Sequence, residues 1–161
     1  MKVIDDFLSP KDFQTISDEI LGRYFQWMYW HLVSDWDDKD AYCNSKFYHV
    51  AFENVQITSA VNLLAPFLND ERLGCNAMKR IILNSYPWTP KVYKHGAHKD
   101  YDFPHKGALL NLTTCNGYTF IDNEKIPSVA NRVILFDPSK PHYGTTTSNA
   151  KRRVIVNFNY F

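Results

Sequence analysis

Lys151-Arg152-Arg153-Val154-Ile155-Val156-Asn157-Phe158-Asn159-Tyr160-Phe161 is the stretch whose reading decides the fold. β-Branched and aromatic residues dominate it, and successive side chains on a strand point to opposite faces. One face carries Arg152, Val154, Val156, Phe158 and Tyr160, nearly all apolar, and suits packing against helices. The other carries Arg153, Ile155, Asn157 and Asn159, a mixed face of the kind that lines a pocket. Arg152 opens the strand and can reach water at its rim. Arg153, on the pocket face, would be buried, and a buried cation needs an anion.

Upstream, residues 78–86 alternate in the same way, with Arg80, Ile82, Asn84 and Tyr86 on one face; Pro87 and Pro90 end that strand. Residues 93–100, 108–113, 118–121 and 133–136 read as further short strands, with Asn116-Gly117 as the turn before 118–121. Short strands separated by turn signals predict an antiparallel sandwich or barrel. The N-terminal part reads differently. Residues 3–8 are a lead-in strand or loop, with Leu8 and Phe13 as a hydrophobic staple. Ser9 is a helix N-cap with Pro10 at the first helical position and Asp12 completing a capping-box-like pattern. Phe13, Ile16 and Ile20 recur at helical spacing and Gly22 suits the stop, giving a helix over 9–21. Val61, Leu64, Ala65 and Leu68 predict a second helix over 58–68, kinked at Pro66. Between them, residues 24–54 are crowded with rings, among them Tyr24, Phe25, Trp30, Trp36, Tyr42, Phe47 and Phe52. They are read as core, with Trp27, Tyr29 and Tyr48 as the alternative lining of a substrate entrance. An acidic loop from Ser34 to Asp40 breaks the run. The expectation is one domain over 1–161, mostly β with N-terminal helices: a jelly roll from about residue 77 to 161 with two helices wrapped on it.

Composition excludes several classes. A net charge of +1 over 161 residues argues against a protein held to nucleic acid by charge alone. No apolar run approaches a membrane span. The start Met1-Lys2-Val3-Ile4-Asp5-Asp6 carries acids where a signal peptide is apolar. Cys43, Cys75 and Cys115 are scattered, with no C-x-x-C pair, which points to the reducing cytoplasm.

His98-Lys99-Asp100 and His142 carry the chemistry. Two residues apart on an extended strand, His98 and Asp100 point the same way. Pro141-His142-Tyr143-Gly144, just after the 133–136 strand, offers a second imidazole. Two His and one carboxylate on one face leave the opposite face of an octahedral metal open, as in the facial triad of non-haem Fe(II) oxygenases. A zinc cluster of His95, His98 and His105 is the competing reading, although zinc sites usually take closer-spaced pairs with Cys. Asp102 is a supporting carboxylate or simply solvated. His31, His49, Cys115 and Thr145-Thr146-Thr147 read as structural, and Lys151 with Arg152 as a solvated cluster at the rim.

In order along nearly the whole chain, Ile4-Asp5-Asp6-Phe7-Leu8-Ser9, Tyr86-Pro87, His98-Lys99-Asp100, Leu110-Asn111, Gly117-Tyr118-Thr119-Phe120, Pro141-His142 and Arg153 match a known pattern. The sequence resembles the iron(II)- and 2-oxoglutarate-dependent dioxygenases, in particular short phage-type members of the prolyl 4-hydroxylase-like branch. The resemblance implies a double-stranded β-helix of cupin-like form. It implies Fe(II) on His98, Asp100 and His142, and 2-oxoglutarate bound through its C1 carboxylate and keto oxygen. Arg153, eleven residues after His142, would salt-bridge the distal carboxylate, with Tyr86 donating to the same group. The implied activity is oxidation of a C–H bond by O2, with succinate and CO2 released and ascorbate as an optional further cofactor. Asp100 implies hydroxylation or a related oxidation, since halogenating relatives lack the carboxylate. The implied substrate is a peptidyl, prolyl-like side chain or a small molecule; a nucleobase joins them if the gene is phage-borne, and the location is then the host cytoplasm. The rival function is a non-catalytic cupin-like module that binds a metal or sugar in the barrel mouth.

Overall fold

The final strand, β11 (Arg152–Tyr160), is flanked on both sides by other strands, and its alternation sorts the interior into two layers. The structure is a computed structural model that describes residues 1–33 and 43–161. The acidic loop expected from Ser34 to Asp40, Trp36 and Tyr42 lie outside the described residues. Within them the chain runs β1 (Lys2–Ile4), α1 (Pro10–Leu21), β2 (Met28–Trp30), β3 (Lys46–Glu53), β4 (Gln56–Ile57), α2 (Ala60–Leu63), α3 (Ala65–Leu68) and a 3₁₀ turn (Glu71–Leu73). Then follow β5 (Met78–Pro87), β6 (Lys106–Asn111), β7 (Tyr118–Ile121), β8 (Glu124–Pro127), β9 (Val133–Phe136), β10 (Tyr143–Gly144) and β11.

The large sheet has the order β1-β9-β6-β11-β5-β3-β2, with β4 beside β3; the small one has the order β10-β7-β8. Every pairing in both is antiparallel. Val154, Val156, Phe158 and Tyr160 pack with Ile81 and Leu83 of β5, Ala108 and Leu110 of β6, and Ile16, Ile20, Leu64 and Phe67 of the helices. Ile155 faces the other way and packs with Tyr86, Leu109, Ile134 and Phe136, and with Ile121 and Ile126 of the small sheet. Two sheets closed over an inner layer, with helices on the outer face, make the expected mostly-β jelly roll. Each fully buried side chain of Phe158's size contributes about 1.5–3 kcal/mol, so a charge at Val156 or Phe158 would break the outer layer.

The start of α1 forms as read: Asp12 N–H donates to Ser9 Oγ (3.1 Å), Ser9 Oγ–H donates to Asp12 Oδ2 (2.7 Å), and Pro10 opens the helix. Gly22 ends it with an extended backbone rather than a left-handed one. Glycine is needed because a Cβ there would meet Asp18 O at 2.7 Å.

Other expectations are corrected. The 58–68 helix is two short pieces that break at Leu64, where Pro66 sits in the first turn of α3. The hairpin signal lay not in Asn116-Gly117 but in Asp122 and Asn123, with φ of 51° and 65°, which join β7 to β8, a strand the sequence did not suggest. Gly117 serves a close approach instead, since a Cβ would stand 2.6 Å from Thr146 O and 2.8 Å from Arg153 Cδ. The ring-rich stretch holds β2 and β3 at the sheet edge. Phe25, Trp27 and Phe52 pack on the core, but Tyr24, Tyr29, Trp30 and Phe47 are exposed. Among the described residues of 24–54, only Val33 and Lys46 line the central cavity, so Trp27, Tyr29 and Tyr48 do not line its entrance. No helix among the described residues is long and apolar enough to cross a membrane.

Candidate active site

Residues 93–100 do not form a continuous strand; isolated bridges hold them against the 142–147 segment. His98 and His142 form one such bridge, with His98 N–H donating to His142 O (2.9 Å) and His142 N–H to His98 O (3.0 Å). This reciprocal pair sets the two imidazoles 4.6 Å apart, centroid to centroid. Asp100 N–H donates to Pro138 O at 2.9 Å, which turns the carboxylate toward the same point. One ligand atom from each of His98, Asp100 and His142 lies within 4.8 Å of the others, so the three could hold a metal.

Their surroundings fix which atoms are free. His142 Nδ1 donates to Lys140 O (3.0 Å) and His98 Nδ1 to Gly96 O (3.3 Å), which leaves both Nε2 atoms as donors of a lone pair. Asp100, with 4% of its side chain exposed, has Oδ1 paired with Arg80 (3.0 Å) and Oδ2 accepting from Asn157 Nδ2 (3.1 Å). Burial alone would raise the Asp100 carboxyl, but Arg80, His142, Asn157 and His98 together outweigh it and hold it below its ordinary value. Burial, then His142, pulls His98 down, so it is neutral near pH 7. A neutral His98 imidazole and an ionised Asp100 carboxylate are in the states that a divalent metal needs of such ligands.

The triad opens on a cavity of about 320 Å³. β5 lines it with Arg80, Ile82, Asn84 and Tyr86, and β11 adds Ile155 and Asn157. Arg153, 0% exposed, bonds Thr119 of this lining. Nη1 donates to Thr145 O (3.2 Å) and Nη2 to Thr119 Oγ1 (2.6 Å), while Nε has no partner among the described residues. No carboxylate pairs with it among the described residues. A guanidinium that is fully buried and met by neutral acceptors among the described residues could pair with an anion. The Tyr86 ring lies 5.8 Å from the Arg153 guanidinium carbon. Burial pushes its phenol up to about 12, so it stays a proton donor. Gly144 provides the room: a Cβ there would stand 3.1 Å from Arg153 Nη1. A His–Asp–His cluster that could hold a metal, together with a buried guanidinium that bonds Thr119 of the same cavity, fits Fe(II) and a chelating dicarboxylate such as 2-oxoglutarate.

The competing zinc cluster does not form. His105 is committed to Phe103 O (2.8 Å) and Asn159 Oδ1 (2.7 Å). Asp102 is 95% exposed on its side chain and pairs with Lys99 at 3.6 Å, so it is solvated. His49 bonds Gln26 O and Thr58 Oγ1, and His31 packs on Trp30. Lys151 is exposed, while Arg152 is half-buried with Nη2 donating to Leu21 O (2.6 Å) at the end of α1. Arg152 and Arg153 therefore face opposite sides of β11. The partners of Asp100, namely Arg80 and Asn157, were not singled out from sequence; Asn157 lay on the face read as mixed and Arg80 on one face of the 78–86 strand, and only a known position for Asp100 would have matched them to it.

No protein-family model matches the sequence, and no curated protein matches it either. Solved structures do. A prolyl hydroxylase in complex with a hypoxia inducible factor peptide, from Trichoplax adhaerens, has TM-score 0.62 and 15% identity, over 99% of this chain and 82% of that one. A prolyl-4-hydroxylase from Pseudomonas putida has TM-score 0.56 and 14% identity, over 99% and 90%. The fold is that of the 2OG-Fe(II) oxygenases. A third relative, the non-heme α-ketoglutarate-dependent epimerase SnoN from nogalamycin biosynthesis, has TM-score 0.65 and 11% identity, over 99% and 76%. At such identities the likeness is one of fold, and it spans hydroxylases and an epimerase.

Proposed function

We propose that this protein is an Fe(II)- and 2-oxoglutarate-dependent dioxygenase that hydroxylates a small molecule or a peptidyl, prolyl-like side chain. The observation that carries the reading is the His98–Asp100–His142 cluster on a cavity whose lining residues Thr119 and Gly144 stand against a fully buried Arg153 that pairs with no carboxylate among the described residues. Substrate C–H, 2-oxoglutarate and O2 are converted to C–OH, succinate and CO2, and Fe(II) when bound supplies the oxygen activation. His98, Asp100 and His142 would hold the metal through Nε2, a carboxylate oxygen and Nε2. Arg80 and Asn157 keep Asp100 ionised and oriented. Arg153 anchors the distal carboxylate of the cosubstrate with a charge-assisted bond, and Tyr86 donates its hydroxyl to the same group. The cavity is at the small end of ligand pockets, which supports a compact substrate. Near-neutral net charge supports a partner other than nucleic acid.

The test is anaerobic absorbance followed by turnover. Fe(II) plus 2-oxoglutarate should give a visible charge-transfer band, lost in His142→Ala, and admission of O2 should yield succinate. A protein that binds metal but gives neither band nor succinate would be the non-catalytic cupin-like module instead.

A further inference from the structure

His95 is 2% exposed, and neither of its ring nitrogens has a hydrogen-bond partner among the described residues. Buried polar atoms left unpaired destabilise a fold, and such exceptions call for an explanation. The placement of this one is tightly set. Its backbone N–H donates to Gly144 O at 3.1 Å, which holds the residue across from Gly144. Its ring is tilted against that of Tyr86, with centroids 5.0 Å apart. The Cβ that Gly144 lacks would stand 3.1 Å from Arg153 Nη1 and 4.0 Å from His95 Nδ1. The space before Gly144, a residue that lines the cavity, therefore lies within reach of both a guanidinium nitrogen and an imidazole nitrogen.

The neighbours decide what fills it. A metal ion is disfavoured beside Arg153, and an apolar group would leave the guanidinium and the imidazole unpaired. An anionic oxygen satisfies both. We propose that His95 is a binding residue for 2-oxoglutarate, its Nδ1–H donating to the distal carboxylate oxygen that occupies the space before Gly144 beside Arg153. This rests on the dioxygenase reading of the site. Burial, then Arg153, pulls the His95 imidazole down to about 3, so near pH 7 it is a neutral donor that adds no second charge to the chamber. Such a donor favours a dicarboxylate over a 2-oxo acid with a plain alkyl end, because the latter would leave both His95 and Arg153 unpaired.

The experiment uses Zn(II)-loaded protein, which is redox-silent, with calorimetric affinities for 2-oxoglutarate and for 2-oxopentanoate, the same chain with a methyl in place of the distal carboxylate. His95→Phe keeps a ring against Tyr86 and removes both nitrogens. It should weaken 2-oxoglutarate roughly 10- to 100-fold, the range for a hydrogen bond to a charged group, and leave 2-oxopentanoate unchanged. His95→Asn returns a donor near the Nδ1 position and should recover most of the loss. In the wild type, the His95 Nδ1 proton should shift downfield in the NMR spectrum with 2-oxoglutarate and not with 2-oxopentanoate, a readout that needs no variant to fold. Equal weakening of both ligands, or of neither, or an unshifted proton, overturns the assignment of His95. Failure of the wild type to bind 2-oxoglutarate at all, with Zn(II) bound, overturns the dioxygenase reading itself.

Discussion

Replacing Arg153 and Arg152 separately by Met should split two properties that adjacent arginines would otherwise be expected to share. Arg153 is 0% exposed and bonded only to Thr145 O and Thr119 Oγ1. Removing an unpaired buried charge is favourable, losing two charge-assisted bonds is not, and each side is on the order of a few kcal/mol. The ligand-free Arg153→Met protein should therefore lie within about 2 kcal/mol of wild type. Ligand linkage is the sharper measure. At a 2-oxoglutarate concentration of 100 times Kd, the wild type gains about 2.7 kcal/mol. Loss of a buried charge pair weakens binding by about 2–5 kcal/mol, so at that same concentration Arg153→Met should gain less than about 1 kcal/mol. Arg152→Met loses the bond to Leu21 O at the end of α1. That bond is half-exposed, so it is worth about 1 kcal/mol, and the variant should be less stable by that amount while keeping the full ligand shift. Thermal denaturation of Zn(II)-loaded proteins with and without 2-oxoglutarate reads both quantities, at about 2–4 °C per kcal/mol for a chain of this size. A ligand shift kept by Arg153→Met and lost by Arg152→Met would refute the placement of the anion site.

His142→Ala should lose Fe(II) binding and succinate formation together, by metal analysis and a coupled assay; full activity would exclude His142 as a ligand. Asp100→Asn should destabilise the ligand-free fold by about 3 kcal/mol or more, because Arg80 then faces no carboxylate; an unchanged urea midpoint would contradict that pairing. The depressed value of His95, about 3, against about 6.5 in an unfolded chain, means that the unfolded state takes up the extra proton. Its contribution to stability is therefore complete above about pH 6.5 and is lost as pH falls toward 3, at up to roughly 1.4 kcal/mol per unit. Urea titrations at several pH values should show that slope, and His95→Phe should flatten it. Binding to duplex DNA should be weak, without the steep fall with salt that phosphate neutralisation produces; a filter-binding salt series checks this.

Legibility from sequence followed the period of each segment. In β11 the apolar Val154, Val156, Phe158 and Tyr160 fall on one face, and a one-residue slip would carry them to the wrong layer, so its two faces could be read directly. The same logic placed Arg153 inside and Arg152 outside. Where no period exists the reading had less to hold. Residues 93–100 are anchored by isolated bridges whose partners lie 44 and 51 positions further on, in His98 to His142 and Lys94 to Thr145, and local sequence cannot encode such a partner. The turn at Asp122-Asn123 needs two residues with positive φ, which Asn and Asp tolerate without glycine; the search for glycine picked Asn116-Gly117 instead. In the ring-rich stretch, aromatic residues suit an edge strand as well as a core, and composition does not separate the two.

The two ends of the site stand on different mechanical footings. Tyr86 and Arg153 are directly paired in the ladder between β5 and β11, and Asn84 is paired with Ile155 in the same ladder. Moving any of them means breaking the most extensively paired strands of the sheet. His98 and Asp100 sit on irregular backbone, tied by the reciprocal bonds to His142 and by Asp100 N–H to Pro138 O. What keeps this segment near the rigid floor is the contact of Asp100 with Arg80 of β5 and Asn157 of β11. The carboxylate is thus both a candidate metal ligand and the strut that ties its segment to the sheet, and on the proposed reading its loss should cost stability as well as metal affinity. The cosubstrate, held at one end by Arg153 on the rigid ladder and at the other by the metal on the bridged segment, would span the same gap that Asp100 spans, so binding it should stiffen the joint between the two.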